Sequence, residues 1–197
     1  MNLKGINDRV DACIECSLCK IEQNIKRDDK PHYGKIHGYP EEDKKFRILF
    51  IAQNPSVNRD AKSPDTKLFC GDTCGNIFTK ALARCGLKRE DVYVTNLVKC
   101  STLNNEIPSE DIVKLCKHFT IKEATRLNPD FIVCVGTFAR DQVMKIEKLR
   151  KWPITSVNHP AWVLRGGCTV ESYCERFKDA IDVYFTTKQA TIGDFSG

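Results

Sequence analysis

Four short apolar runs punctuate the chain, and each stops at polar residues. Arg47 to Ala52 and Phe131 to Val135 show no in-out alternation, as expected for strands buried on both faces of a sheet. Val92 to Val98 and Ile154 to Val157 complete a predicted set of four strands. Helical spacing fills the intervals. A helix is predicted over 10–24, another from Gly75 to Cys85 with Gly86 as its stop, and a third after the N-cap Ser109 to about Leu127. Two more follow, at Thr137–Lys148 and from Val170 to about Tyr184. Strands alternating with helices of this length predict an α/β fold: a single domain with a four-stranded parallel sheet flanked by helices. The domain is expected to span 1–187, with 188–197 as a flexible tail.

The stops matter as much as the runs. The first strand ends in Gln53-Asn54-Pro55-Ser56, where Pro55 cannot continue a central strand. The second ends near Asn96 and Lys99, and the fourth in Asn158-His159-Pro160. Parallel strands bring these ends to one rim, where open α/β sheets bind ligands. Two long loops, 26–45 and 56–74, flank the first strand. Loops of this length in a compact domain are commonly functional or disordered. The second carries Phe69, equally readable as a core anchor or as a platform for a flat base.

Composition narrows the classes. No apolar stretch approaches the roughly 20 residues of a membrane span, and the first residues lack the apolar core of a signal peptide, so a cytoplasmic location is expected. The net charge of +5 permits nucleic-acid binding without requiring it. Eleven cysteines are many for that compartment, where grouped thiols point to metal rather than disulfides. Cys13 and Cys16 form a C-x-x-C, and Cys100 and Cys116 have fifteen residues between them. Four thiolates hold either zinc or an iron–sulfur cluster, and spacing does not choose. Cys19 competes as a ligand, Cys70 and Cys74 make a weaker pair, and Cys85, Cys134, Cys168 and Cys174 fit core positions.

Together, the C-x-x-C, Gln-Asn-Pro-Ser, Phe-Cys-Gly, Val92 to Cys100 with Cys116, and His159-Pro-Ala-Trp-Val-Leu-Arg165 resemble the uracil-DNA glycosylase superfamily. The likeness runs from about Val10 to Tyr184 and is greatest to the family 4 enzymes, which carry a 4Fe–4S cluster. It implies a monofunctional DNA glycosylase, acting as a monomer, that flips uracil or a related deaminated base out of single- or double-stranded DNA and hydrolyses its N-glycosidic bond. Cys13, Cys16, Cys100 and Cys116 are the implied cluster ligands. Asn54 and His159 are the implied catalytic pair, with Gln53, Phe69 and Asn96 around the base. Trp162, Leu164 and Arg165 are expected at the DNA, with packing at the start of the last helix an equal reading for Trp162; Arg59, Lys62, Lys67 and Lys99 are expected at the DNA from the rim. The chain departs from family 4 at its opening motif, which there is Gly-Glu-Ala-Pro-Gly and here is Ala52-Gln53-Asn54-Pro55-Ser56. An Asn before the Pro is instead similar to the mismatch-specific and single-strand-selective enzymes. The missing carboxylate keeps two alternatives open: a non-catalytic cluster-bearing module that binds damaged DNA, and a glycosylase for hypoxanthine, mismatched thymine or an oxidised pyrimidine.

Overall fold

A computed structural model of the chain describes residues 1–19, 35–56, 68–69, 72–102 and 105–193, the last eight as backbone only. Its elements in order are α1 (Leu3–Asp11), β1 (Ile48–Ala52), α2 (Thr73–Arg84), β2 (Tyr93–Asn96), α3 (Glu110–Leu127), β3 (Phe131–Val135), α4 (Thr137–Met144), β4 (Ile154–Val157), α5 (Ala161–Leu164) and α6 (Val170–Gly193). The sheet is the predicted four-stranded one, in the order β2-β1-β3-β4, with every pairing parallel.

Every residue of β1 and β3 is buried, which explains their unbroken apolar runs: helices cover both faces. Leu49, Ile51, Ile132 and Cys134 pack with α1, α3 and α4 on one side. Ile48, Phe50, Val133 and Val135 pack with α2 and α6 on the other. There the Phe50 ring stacks on Phe177 with centroids 5.7 Å apart and meets Phe78 edge-on at 5.2 Å. Truncating such a fully buried ring costs about 3–5 kcal/mol. Helix starts follow their local chemistry. Asp72 caps α2 through Oδ1, accepting from Gly75 N at 2.6 Å, and Ser109 caps α3 as expected.

Part of the first long loop has a defined task. Ile36 N donates to Lys99 O at 2.8 Å, and Tyr39 and Val94 exchange backbone bonds at 2.9 Å. This segment runs antiparallel to the outer strand and covers an edge that would otherwise be unpaired. Gly38 lies under the Tyr93 ring, where a Cβ would come within 2.1 Å of the phenol oxygen.

Four expectations need correction. The first helix is Leu3–Asp11, because Leu3, Ile6 and Val10 supply its buried face; within the predicted 10–24 span the chain is non-helical at 12–16, which holds Cys13 and Cys16, and helical again at 17–19, while 20–24 are outside the described residues. The helix after β3 stops at Met144, and a 3-10 turn at Glu147–Leu149 follows. The last helix runs on to Gly193 instead of ending near Tyr184, so most of the expected tail is helical backbone, and only 194–197 fall outside the description. Lys99 is not a rim cation: it is 1% exposed.

Candidate functional site

The strand order reverses between β1 and β3, and the crevice beyond their carboxyl ends is the expected binding position. A cavity of about 520 Å³ lies there. Residues after all four strands reach it: Gln53 to Ser56 after β1, Asn96 at the end of β2, Gly136 to Ala139 after β3 and His159 after β4. Phe69, Asp72, Cys74 and Arg165 close the sides. Gly136 has φ 93°, and a Cβ there would sit 3.3 Å from His159 Cβ. A glycine therefore allows β3 to turn into α4 beside the histidine.

Asn54 is fixed by its amide nitrogen, which donates to Pro55 O at 3.0 Å and Thr102 Oγ1 at 3.2 Å. Pro55 O can only accept, so this contact identifies the nitrogen end. With both N–H groups engaged, Oδ1 is the end left to accept a hydrogen bond from water. The Gln53 main-chain oxygen accepts from Val98 N at 3.0 Å, which ties the end of β1 to the loop after β2.

His159 has its tautomer set by the backbone. Ala161 N donates to Nδ1 at 3.1 Å, so the neutral ring carries its proton on Nε2. Burial pushes its pKa down to about 4, assisted by the positive charge of Arg165 and opposed by Asp72. The ring is therefore a neutral hydrogen-bond donor at physiological pH.

Phe69 belongs to both the core and the cavity wall. It is buried and stacks on Phe78 at 4.8 Å, and it also lines the cavity, with its ring tilted against His159 at 5.4 Å. Its φ of 53° is rare for a bulky residue. Such backbone costs on the order of 1–3 kcal/mol and clusters at functional sites. Asn96 is 1% exposed, and its Nδ2 is buried without a hydrogen-bond partner among the described residues.

The segment after His159 divides by exposure. Trp162 packs against the α2–α6 core, under the Arg176 guanidinium, and so close to Gly167 that a Cβ there would strike its ring at 2.1 Å. These contacts fit the packing reading of Trp162, whose ring is partly buried. Leu164 is 52% exposed beside the exposed Arg165. Arg59, Lys62 and Lys67 lie outside the described residues. Sequence reasoning missed Asp72, the one carboxylate among the described residues lining the cavity. Its signal is the residue itself, a strong N-cap type just ahead of the helix predicted from Gly75.

A second pocket holds the grouped cysteines. Cys13 and Cys16 after α1, Cys100 after β2 and Cys116 in α3 line it, with Val10, Val98 and Phe119 as apolar walls. Lys99 N donates to Cys116 Sγ at 3.3 Å. Burial raises the Cys116 pKa to about 11 and raises that of Cys13. Cys19 is turned away, its thiol donating to Cys16 O at 2.7 Å. Among the described residues no three Cys, His, Asp or Glu side chains are drawn together as a ready-made ligand sphere. The donor set nonetheless suits a thiolate-bound metal group: four thiols from three separate segments lining one largely apolar pocket. Cys85, Cys168 and Cys174 pack in the α2–α6 core, and Cys134 in the sheet. Cys70 is outside the described residues.

A parallel sheet with a polar crevice at its switch point, beside a four-cysteine pocket, defines an α/β ligand-binding domain, and sequence comparison identifies which kind. The model of the Uracil DNA glycosylase superfamily matches residues 39–182. The chain belongs to that superfamily. It is 27% identical to the type-4 uracil-DNA glycosylase of Archaeoglobus fulgidus over 98% of this chain and 100% of that one. It is 29% identical to the Thermotoga maritima enzyme of the same name, over 81% and 82%. Identity to the Saccharolobus solfataricus type-4 enzyme is 32%, over 73% of this chain and 60% of the relative. Among the described residues no helix is long and apolar enough to cross a membrane.

Proposed function

We propose that this chain is a monofunctional uracil-DNA glycosylase of the type-4 kind, hydrolysing the N-glycosidic bond of deoxyuridine in DNA. The observation that carries the assignment is Asn96, a residue of the cavity lining whose amide nitrogen is buried without a hydrogen-bond partner among the described residues. An unmet buried donor costs about 1–3 kcal/mol, and a ligand carbonyl removes that cost. Uracil presents a carbonyl next to an N–H, matching the donor and acceptor of one amide; cytosine presents the reverse order. Excision assays on oligonucleotides carrying uracil, cytosine, hypoxanthine or mismatched thymine test the assignment, with uracil expected to react fastest.

The chemistry follows from the residues. Cleavage leaves positive charge on the sugar and negative charge on the departing base. Oxocarbenium-like sugars need a positioned water more than a deprotonated one. Asn54 Oδ1 is the acceptor that orients it. His159 Nε2–H donates to the base oxygen where negative charge develops. Phe69 stacks on the base plane, and Gln53 frames the base from the end of β1. Arg165 meets a phosphate.

Leu164 is the proposed wedge that fills the gap left by the flipped base. Leu164→Ala is expected to slow excision several-fold more from double strands than from single strands, because single strands need no help expelling a base. Equal losses on both substrates, measured in parallel single-turnover assays, would assign Leu164 to packing instead.

Cys13, Cys16, Cys100 and Cys116 are the proposed ligands of one 4Fe–4S cluster. Bound there, the cluster supplies a cross-link between the segment after α1 and the loop after β2, and with it stability. The purified protein is expected to be brown with broad visible absorption. A colourless protein with stoichiometric zinc contradicts this. Cys16→Ala is expected to lose iron, and retention of iron would place Cys19 in the ligand set.

A further inference from the structure

A buried ion pair stands behind the end of β2. Lys99 and Glu123 side chains are 2% and 0% exposed, with Nζ 2.6 Å from Oε2. The ammonium also donates to Thr95 Oγ1 at 2.6 Å and to the main-chain oxygen of Asn96 at 2.8 Å. All three of its donors are thereby engaged. Thr95 Oγ1 donates to the Glu123 carboxylate at 3.0 Å, and Tyr93 OH reaches it at 3.4 Å. From α3, Thr120 Oγ1 supplies a second donor to Asn96 O at 3.3 Å. The Asn96 carbonyl is thus held from two sides, while its side chain belongs to the cavity lining and its amide nitrogen is buried without a hydrogen-bond partner among the described residues.

Stability alone is a weak account of such a pair, since well-packed apolar residues commonly replace buried ion pairs without loss. Its specific effect is to pin one peptide. A short side-chain amide is aimed only as accurately as the backbone that carries it, and a 1 Å misplacement at a reacting site can cost about 100-fold in rate. We infer that Lys99 and Glu123 are positioning residues for base recognition: they lock the Asn96 peptide so that its amide meets the flipped base, without touching the base themselves. This rests on the assignment of Asn96 as the base reader.

The test compares Lys99→Met/Glu123→Leu, Glu123→Gln and the parent on a single-stranded uracil oligonucleotide. The readouts are the single-turnover rate constant at saturating enzyme and the affinity for the same oligonucleotide without uracil. A smaller folded fraction does not move a rate constant measured at saturation, so a merely structural role leaves it unchanged. The double variant is expected to react at least about tenfold more slowly, with affinity for the undamaged strand within about twofold. Glu123→Gln, which still offers Lys99 an acceptor, is expected to stay within about threefold of the parent. The inference is overturned if the double variant reacts at the parental rate, if rate and undamaged-strand affinity fall together, or if Glu123→Gln falls as far as the double variant. Should the double variant not fold, the near-isosteric Thr120→Val removes one donor from Asn96 O. A rate about threefold lower supports the inference, and an unchanged rate overturns it. A parent that releases no uracil removes the functional assignment itself, which these variant-to-parent ratios do not address.

Discussion

Replacing His159 with alanine is expected to lower the single-turnover rate of uracil release by roughly a hundredfold or more while leaving DNA binding nearly intact. Removing one preorganised donor to a developing oxyanion costs about 2.7–4 kcal/mol of barrier. The environment makes this donor effective. The Ala161 N–H occupies Nδ1, so the proton sits on Nε2, and burial with the nearby Arg165 charge brings the pKa down to about 4. A second expectation follows for pH. Between about pH 8 and pH 5 the ring does not titrate, so kcat/KM should show no acid limb near the usual histidine value of about 6.5. The sign for stability is fixed by the same shift. Between about pH 6.5 and 4 the unfolded chain takes up a proton at this position and the folded chain does not, so stability declines as pH falls through that window. A limb near pH 6.5 that disappears in His159→Ala would contradict the neutral-donor role.

Asn96→Asp is expected to reduce kcat/KM for uracil by at least about a hundredfold, because a site built to hydrogen-bond its substrate loses far more than one contact when the match is broken. The substitution replaces an amide nitrogen that is buried without a partner among the described residues by a carboxylate oxygen, which opposes the uracil carbonyl and buries an unpaired charge. Thermal melting separates the two effects: the stability loss appears without substrate, and the recognition loss appears as a lower single-turnover rate on protein that is folded. A variant that is folded and excises uracil at the parental rate would remove Asn96 from base reading.

Much of the site was legible because topology does the assembling. Once four parallel strands were recognised from unbroken apolar runs, their polar stops had to share one rim, and Asn54, Asn96 and His159 do line one cavity. Helix α1 is poorly legible because its apolar face is only Leu3, Ile6 and Val10, a short pattern in an otherwise polar segment. Lys99 read as a surface cation because its partner, Glu123, lies on a helix 24 residues away, and no local pattern reveals a tertiary ion pair. Trp162 read equally as wedge or packing. Its fate is decided by Gly167 and Arg176, which close over it only after the chain turns at Gly166, φ 80°. Asp72 was hidden in a loop, and its place at the cavity depends on where α2 starts.

If these strand ends form a uracil-excising centre in spite of the absent carboxylate at Gln53-Asn54, the chain must release the base unaided. The most direct measurement is release of free uracil from an oligonucleotide with a single deoxyuridine, in single- and double-stranded form, by the parent, His159→Ala and Asn54→Ala proteins. The parent is expected to release uracil and leave an abasic site, with His159→Ala slower by roughly a hundredfold and Asn54→Ala also slowed in the chemical step. Release of no base by the parent from any substrate in the panel, or parental rates in both variants, would contradict this expectation.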